Sequence, residues 1–262
     1  MTTDEEKSAH CSDVPAIGKE KAFANIAIVL VRPSHPGNIG AVARAMKNMG
    51  LTTLRLVEPA AAIDAEAHAR AAGADDVLVA ATRHADLTHA IADCALAIGT
   101  SARTRKIAWP VLSVAAAAQQ AIAGALAGKV ALVFGAERTG LTNDELDRCQ
   151  AVINIPTAPD FASLNLAAAV QIVTYEVRQA ALAATPARET GDALASQAEV
   201  ERFYVHLESV LIEIGFLNPQ HPRKLMRRLK RLFNRAGLDQ NEVNILRGIL
   251  TEIERTRGQR NT

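Results

Sequence analysis

Three stretches of this sequence hold polar side chains where a ligand could be handled. In RPSHPGNIGAVARAMKNMG (32–50), Val42, Met46 and Met49 fall at i, i+4 and i+7 and form the apolar stripe of a helix. At about 100° per residue Arg44 stands about 200° around from Val42, so it faces away from the core, with Asn48 one turn further on. Arg44 is then either a solvated surface cation or a group aimed at a ligand from a Pro-Gly-Asn loop. In LVFGAERTGLTNDEL (132–146), Gly135 and Gly140 allow close backbone approach to a flat ligand or turns with positive φ. Thr142 and Glu145 have the spacing of a capping box, and Glu137 and Arg138 either pair with each other on the surface or serve a site. In INIPTAPDFASLNLAAAVQIVTYEV (153–177), two prolines stiffen a loop that delivers Ser163, Leu164 and Asn165 to the mouth of a helix. Ser163 is either an ordinary N-cap or part of a helix N-terminus that binds an oxygen-bearing ligand.

Commoner chemistries do not fit these loops. A dinucleotide fold requires G-x-G-x-x-G after its first strand, and residues 32–40 have the wrong spacing. GAERTG (135–140) has the glycine spacing of a P-loop, but Leu141 and Thr142 stand where Lys and Ser/Thr are needed for the phosphates. The sequence has no H-E-x-x-H and no G-x-S-x-G, and its seven histidines are scattered. No metal site and no serine hydrolase is expected.

The elements that must hold these loops follow from hydrophobic rhythm. IAIVLV (26–31), TTLRLVEP (52–59), DVLVA (76–80), ALAIGTSA (95–102), KVALVFG (129–135) and AVINIP (151–156) read as buried strands. Helical patterns alternate with them at 39–50, up to Gly73, near 85–93, at 112–127, 143–149 and 163–184. Alternation of this kind predicts an α/β fold with a parallel sheet, whose ligand site lies at the carboxyl ends of the strands. Residues 1–22 lack an apolar period and read as a disordered tail; 23–184 form the α/β domain, 185–196 a linker, and 197–262 an all-helical domain. Half of the 262 residues are hydrophobic (49%) and the formal charge is +1, so the chain is globular and its overall charge names no partner. Three cysteines without C-x-x-C spacing rule out a disulfide framework. With an acidic first segment unlike a targeting peptide and no long apolar run, they place the chain in the cytoplasm and off the membrane.

Charge is concentrated in one place. HPRKLMRRLKRLFNR (221–235) carries Arg223, Lys224, Arg227, Arg228, Lys230, Arg231 and Arg235 with no acid, around an apolar seam of Leu225, Leu229, Leu232 and Phe233. Like charges in that density repel unless a counter-charge is supplied, and a nucleic-acid backbone supplies one. A helix lying on a membrane surface is the rival reading.

The three loops, in this order and at these separations, resemble the signature motifs of the SPOUT superfamily of 2′-O-methyltransferases, its TrmH-like group. The resemblance covers about residues 24–180. GTSAR (99–103), ERFYVHLE (201–208) and VNILRGIL (243–250) extend it towards the members that modify tRNA at cytidine and uridine. The resemblance implies a trefoil knot in the carboxyl half of the sheet, S-adenosylmethionine as cofactor, and a homodimer whose active sites combine both subunits. It implies a cofactor pocket of Thr100, Ser101, Ala102, Gly135, Glu137, Gly140, Ile155, Ala162, Ser163 and Leu164. The catalytic cluster it implies is Arg44, Asn38, Ser163 and Asn165, and the substrate a tRNA anticodon-loop nucleotide, C or U at position 32. Ala162 departs from relatives that often carry a second serine there. A ribosomal-RNA or D-loop enzyme of the same group, and an RNA-binding module without catalysis, are the alternatives. Arg44 is either the base or a cation that orients the ribose; a guanidinium pKa above about 12 favours the second.

Overall fold

The computed structural model describes residues 21–102, 110–183, 194–222 and 224–258. Most of the expected tail and linker, and Arg223, lie outside the described residues. Seven strands form one parallel sheet in the order β3-β2-β1-β6-β4-β7-β5: β1 (Ile26–Val31), β2 (Thr53–Val57), β3 (Thr82–His84), β4 (Cys94–Thr100), β5 (Val111–Leu112), β6 (Lys129–Phe134) and β7 (Ala151–Ile153). β1 is buried along its whole length and β6 from Val130 onward, as continuous Val/Ile/Leu runs demand when helices cover both faces of a parallel sheet.

One face is covered by α1 (Pro36–Asn48), α2 (Ala65–Ala71), α3 (Asp75–Val79), α5 (Val114–Ala127) and α7 (Leu166–Ala183). The other carries α4 (Leu87–Ile91) and α6 (Asn143–Leu146), packed around Val29, Val31, Ala131 and Val133. Val42 and Met46 on α1, and Leu166, Val170, Val173 and Val177 on α7, are buried as expected, whereas Met49, the third member of the first stripe, is the C-cap of α1 and only partly buried. Gly40 lets α1 and α2 touch, since a Cβ there would stand 1.9 Å from the carbonyl oxygen of Ala67. Two segments depart from expectation: Leu112, read as the start of a helix, belongs to the two-residue edge strand β5, and DVLVA is not a strand. It forms the short helix α3, whose first-turn Asp75 and Asp76 suit a helix N-terminus, and the edge strand comes later, as β3.

The C-terminal region is helical, as expected: α8 (Gln197–Glu213), α9 (Leu225–Ala236) and α10 (Gln240–Gly258). They enclose a separate core of Val200, Phe203, Tyr204, Leu207, Val210, Val243 and Leu250, with Phe203 and Phe233 edge to face at 5.0 Å. Residues 194–196 already pack with it, through a bridge from Leu194 to Asp239 and a Ser196–Glu199 capping box. Leu232, placed in the apolar seam by sequence, is instead 49% exposed. No helix among the described residues is long and apolar enough to cross a membrane.

Candidate active site

Sheet order explains why loops a hundred residues apart meet. β1, β6, β4 and β7 are consecutive neighbours, so the segments that leave their carboxyl ends gather at one edge. After β1 comes Arg32, in the left-handed region at φ 51°, whose guanidinium donates to Glu145 and lies 3.6 Å from Glu58. It ties the first loop to α6 and β2. Helix α1 begins earlier than its pattern suggests, because Pro36 at its start needs no N–H partner there; Asn38 therefore sits in the first turn.

The second loop supplies the centre of a polar network. The Glu137 carboxylate accepts from the Ser34 backbone N–H and hydroxyl and, at 3.0 Å, from the Asn38 side-chain amide. The Asn38 carbonyl oxygen in turn accepts from Asn165 Nδ2 at 3.0 Å, while Asn165 Oδ1 accepts from the backbone N–H of Ala167. Three loops are thus joined by one chain of hydrogen bonds, Ser34–Glu137–Asn38–Asn165. Burial pushes the Glu137 carboxyl upward, but its bonds to Asn38 and Ser34 outweigh burial and hold its pKa below the ordinary value. Arg138 is exposed and does not pair with Glu137. Asn165, not Ser163, caps α7, which leaves the exposed Ser163 hydroxyl without a hydrogen bond among the described residues.

Below this network lies a cleft of about 320 Å³. All ten residues expected at the cofactor line it: Thr100, Ser101 and Ala102 after β4, Gly135, Glu137 and Gly140 after β6, and Ile155, Ala162, Ser163 and Leu164 after β7. Phe134, Ile153 and Leu166 give it an apolar floor. Its size and its mix of apolar wall with exposed backbone suit a nucleoside-sized ligand. Gly135 is required here for a reason other than ligand approach: a Cβ would stand 2.2 Å from Gly140 C and Leu141 N, inside the loop's own backbone. Gly140 turns at φ +64°, with open space where its side chain would be. No group of three His, Cys, Asp or Glu able to hold a metal occurs among the described residues.

Arg44 is not brought to this cleft. Six residues beyond Asn38, it lies about 240° further around α1, exposed and without a partner among the described residues. The basic helix is also divided. Arg227 pairs with Asp147, just after α6, at 2.6 Å, and Lys230 reaches Glu201 and the Tyr204 ring. Counter-charges for these two thus come from other elements, which a count along 221–235 could not show. Burial lifts Asp147 above its usual pKa even beside Arg227, as expected for a strut closed off between the two regions. Lys224, Arg228 and Arg235 are exposed, and Arg231 is half-buried without a partner. Sequence reasoning passed over Arg32, Ser34 and Asp147, whose partners lie 80 to 113 residues away.

Comparison with known proteins identifies the family. Residues 25–175 match the model of the SpoU rRNA Methylase family, and residues 198–262 that of the tRNA methyltransferase TrmJ, C-terminal domain. The tRNA (cytidine/uridine/adenosine-2′-O-)-methyltransferase TrmJ of Pseudomonas aeruginosa is 51% identical over 241 residues, 88% of this chain and 94% of that protein. The tRNA (cytidine/uridine-2′-O-)-methyltransferase TrmJ of Cronobacter sakazakii is 49% identical, over 90% of this chain and 98% of its own. The crystal structure of TrmJ from Z. mobilis ZM4 superposes with a TM-score of 0.78 at 36% identity, covering 88% of this chain and all of that one. By its catalytic-domain sequence, its C-terminal domain and its fold, the chain belongs to the SpoU methylase family, in the TrmJ group.

Proposed function

We propose that this protein methylates the ribose 2′-hydroxyl of a tRNA anticodon-loop nucleotide, at position 32, using S-adenosylmethionine held in the cleft between the loops after β4, β6 and β7. The observation that carries this reading is the hydrogen-bond chain Ser34–Glu137–Asn38–Asn165 at the rim of a cleft lined by all ten expected residues. The names of the relatives support tRNA and the 2′-hydroxyl, and they span cytidine, uridine and, in P. aeruginosa, adenosine.

When bound, S-adenosylmethionine supplies a methyl group on a positively charged sulfur. The chain's own part is to hold a ribose hydroxyl in line with that methyl and to ease loss of its proton, so positioning carries most of the rate. Asn38 and Asn165 have their amides committed to one another and to Glu137, which makes them a rigid support. The free Ser163 hydroxyl is the group left to meet the ribose, and Ser34 and Glu137 fix the loop opposite it.

Arg44 enters this scheme from a second copy of the chain. It is free, exposed and away from its own cleft, and α7 presents Ile172, Tyr175 and Leu182 at 37%, 48% and 56% exposure as an apolar surface for a homodimer. There Arg44 orients the ribose and stabilises the oxygen as its proton leaves. Lys224, Arg228, Arg231 and Arg235 attract the phosphate backbone, whereas Arg227 and Lys230 hold α9 in place. Such an enzyme works in the cytoplasm, where tRNA is. Mass spectrometry of nuclease-digested tRNA from a deletion strain tests the reading. A missing 2′-O-methyl nucleotide at position 32, restored by the gene and not by its Ser163→Ala form, is expected. Loss of a D-loop or ribosomal-RNA methyl group instead would overturn it.

A further inference from the structure

The loop between β7 and α7 carries an aromatic ring that the network above does not use. Phe161 is 79% exposed, in a chain with six Phe, two Tyr and one Trp. Water around so large an apolar ring is unfavourable, and five described aromatics, Phe134, Phe203, Tyr204, Phe233 and Phe23, are packed. Two other described rings are substantially exposed, Phe216 in the C-terminal region and Tyr175 about two and a half turns along α7. None of the three rings lines the cleft itself, but Phe161 is next in the chain to Ala162, which does.

Phe161 is also held where it stands. Its backbone N–H donates to the Ala158 carbonyl at 3.1 Å, closing a tight bridge, with Pro159 restricting the chain inside the bridge and Pro156 just before it. The next three residues, Ala162, Ser163 and Leu164, line the cleft. The Cα atoms of Phe161 and Ser163 are two residues apart, at most about 7 Å along the chain, before either side chain extends from them. That is the scale on which a ribose hydroxyl and the base of the same nucleotide are separated.

We infer that Phe161 is a stacking platform for the base of the nucleotide being methylated, a specificity-determining residue that holds the base while Ser163 meets its ribose. The inference rests on the function proposed above. Sequence-specific contacts to RNA are made mainly to unstacked loop bases laid on aromatic faces, and an anticodon loop offers such bases. Every base has a π-face, so a platform of this kind tolerates base identity and selects instead for a base that can leave its stack. A pocket of hydrogen-bonding groups would do the opposite.

The test is a double-mutant cycle between protein and RNA. Full-length protein, wild type, Phe161→Ala and Phe161→Trp, is titrated with a synthetic anticodon stem–loop, intact or with the methylated nucleotide made abasic while its 2′-hydroxyl is kept. Affinity, single-turnover methylation, cofactor affinity and oligomeric state are measured. With intact RNA, Phe161→Ala is expected to bind about 5- to 100-fold more weakly, the range for losing one stacked base, and Phe161→Trp to bind as wild type or better. With abasic RNA, wild type falls to the level of Phe161→Ala, and that variant loses little more. Equal losses for Phe161→Ala on both RNAs, or no loss on either, would overturn the inference. So would a fall in cofactor affinity or a shift to monomer, since the ring would then pack against its own loop or a second copy. Failure of the wild type to methylate the intact stem–loop would instead count against the function proposed above.

Discussion

Replacing Gly135 by alanine adds one carbon at the point where the cleft loop is tightest. That carbon would lie 2.2 Å from Gly140 C and Leu141 N and 2.7 Å from the Gly140 oxygen. The opposing backbone must retreat by about 1.2 Å to reach ordinary contact near 3.4 Å. It is poorly placed to do so: Gly140 N donates to Ala136 O at 2.8 Å, Leu141 is 1% exposed, and Thr142 is fixed by its capping box with Glu145. Overpacking of this kind costs about 1–3 kcal/mol and a broken hydrogen bond about 1 kcal/mol more. If the loop relieves this cost in the free protein and must take it up again to bind, each 1.4 kcal/mol is tenfold in affinity and S-adenosylmethionine binding should weaken by up to about 10²-fold. Gly140→Ala is the control. Its new carbon meets nothing within 4 Å, so the cost is the left-handed backbone alone, about 1–2 kcal/mol. It should lower the melting temperature modestly and should weaken binding strongly only where the cofactor itself fills that space. Calorimetric titration and thermal unfolding of both variants make the comparison. Wild-type affinity and melting temperature for Gly135→Ala would refute the argument that this close backbone approach shapes the cleft.

Arg44→Ala should leave cofactor affinity intact and slow single-turnover methylation by about 10²-fold or more, with Arg44→Lys a poor rescue because a point charge cannot copy the planar fork. Near-normal turnover would return Arg44 to an ordinary surface role. Replacing Arg228, Arg231 or Arg235 by Ala should each flatten the plot of log tRNA affinity against log salt by about 0.7–0.9. Arg227→Ala should leave that slope unchanged, lowering the melting temperature instead because it strands Asp147; a changed slope would show that Arg227 meets phosphate. Glu137, with its folded pKa depressed, stabilises the loop network fully above its unfolded pKa of about 4.3, and this contribution disappears as pH falls through the lower folded value. Glu137→Gln should therefore lose stability relative to wild type at pH 7 and converge with it in strong acid, by thermal unfolding across pH.

What the sequence disclosed and what it withheld divide along a physical line. α1 and α7 were readable because each buries one face, which writes a periodic stripe through Val42 and Met46 or Val170 and Val177. The cleft lining was readable through the family resemblance, because the motifs that carry it stand as short runs along the chain. DVLVA misled because a five-residue helix is too short to display its period, and Val77 and Leu78 are buried there as they would be in a strand. Ser163 was a natural N-cap by type, yet Asn165 takes that place, and spacing alone could not choose between them. The partners of Glu137 and Arg227 depend on which strands are neighbours and where α9 docks, and those facts belong to the folded chain alone.

Sheet order also dictates when the site can exist during synthesis. β6 pairs with β1 on one side and with β4 on the other, although both are made before it. Until residue 134 has left the ribosome, β1 keeps one open edge, and β4 has no partner at all, because β7 too comes later. An emerging chain of about 130 residues therefore leaves one edge of β1 and both edges of β4 open, and β5 without its partner β7, the kind of surface that recruits chaperones or other nascent chains. Insertion of β6 closes the open edge of β1 and one edge of β4 and, in the same event, brings Glu137 beside Ser34, while the other β4 edge waits for β7. Completion of the site therefore waits on the order in which the strands emerge, whatever the stability of the finished fold.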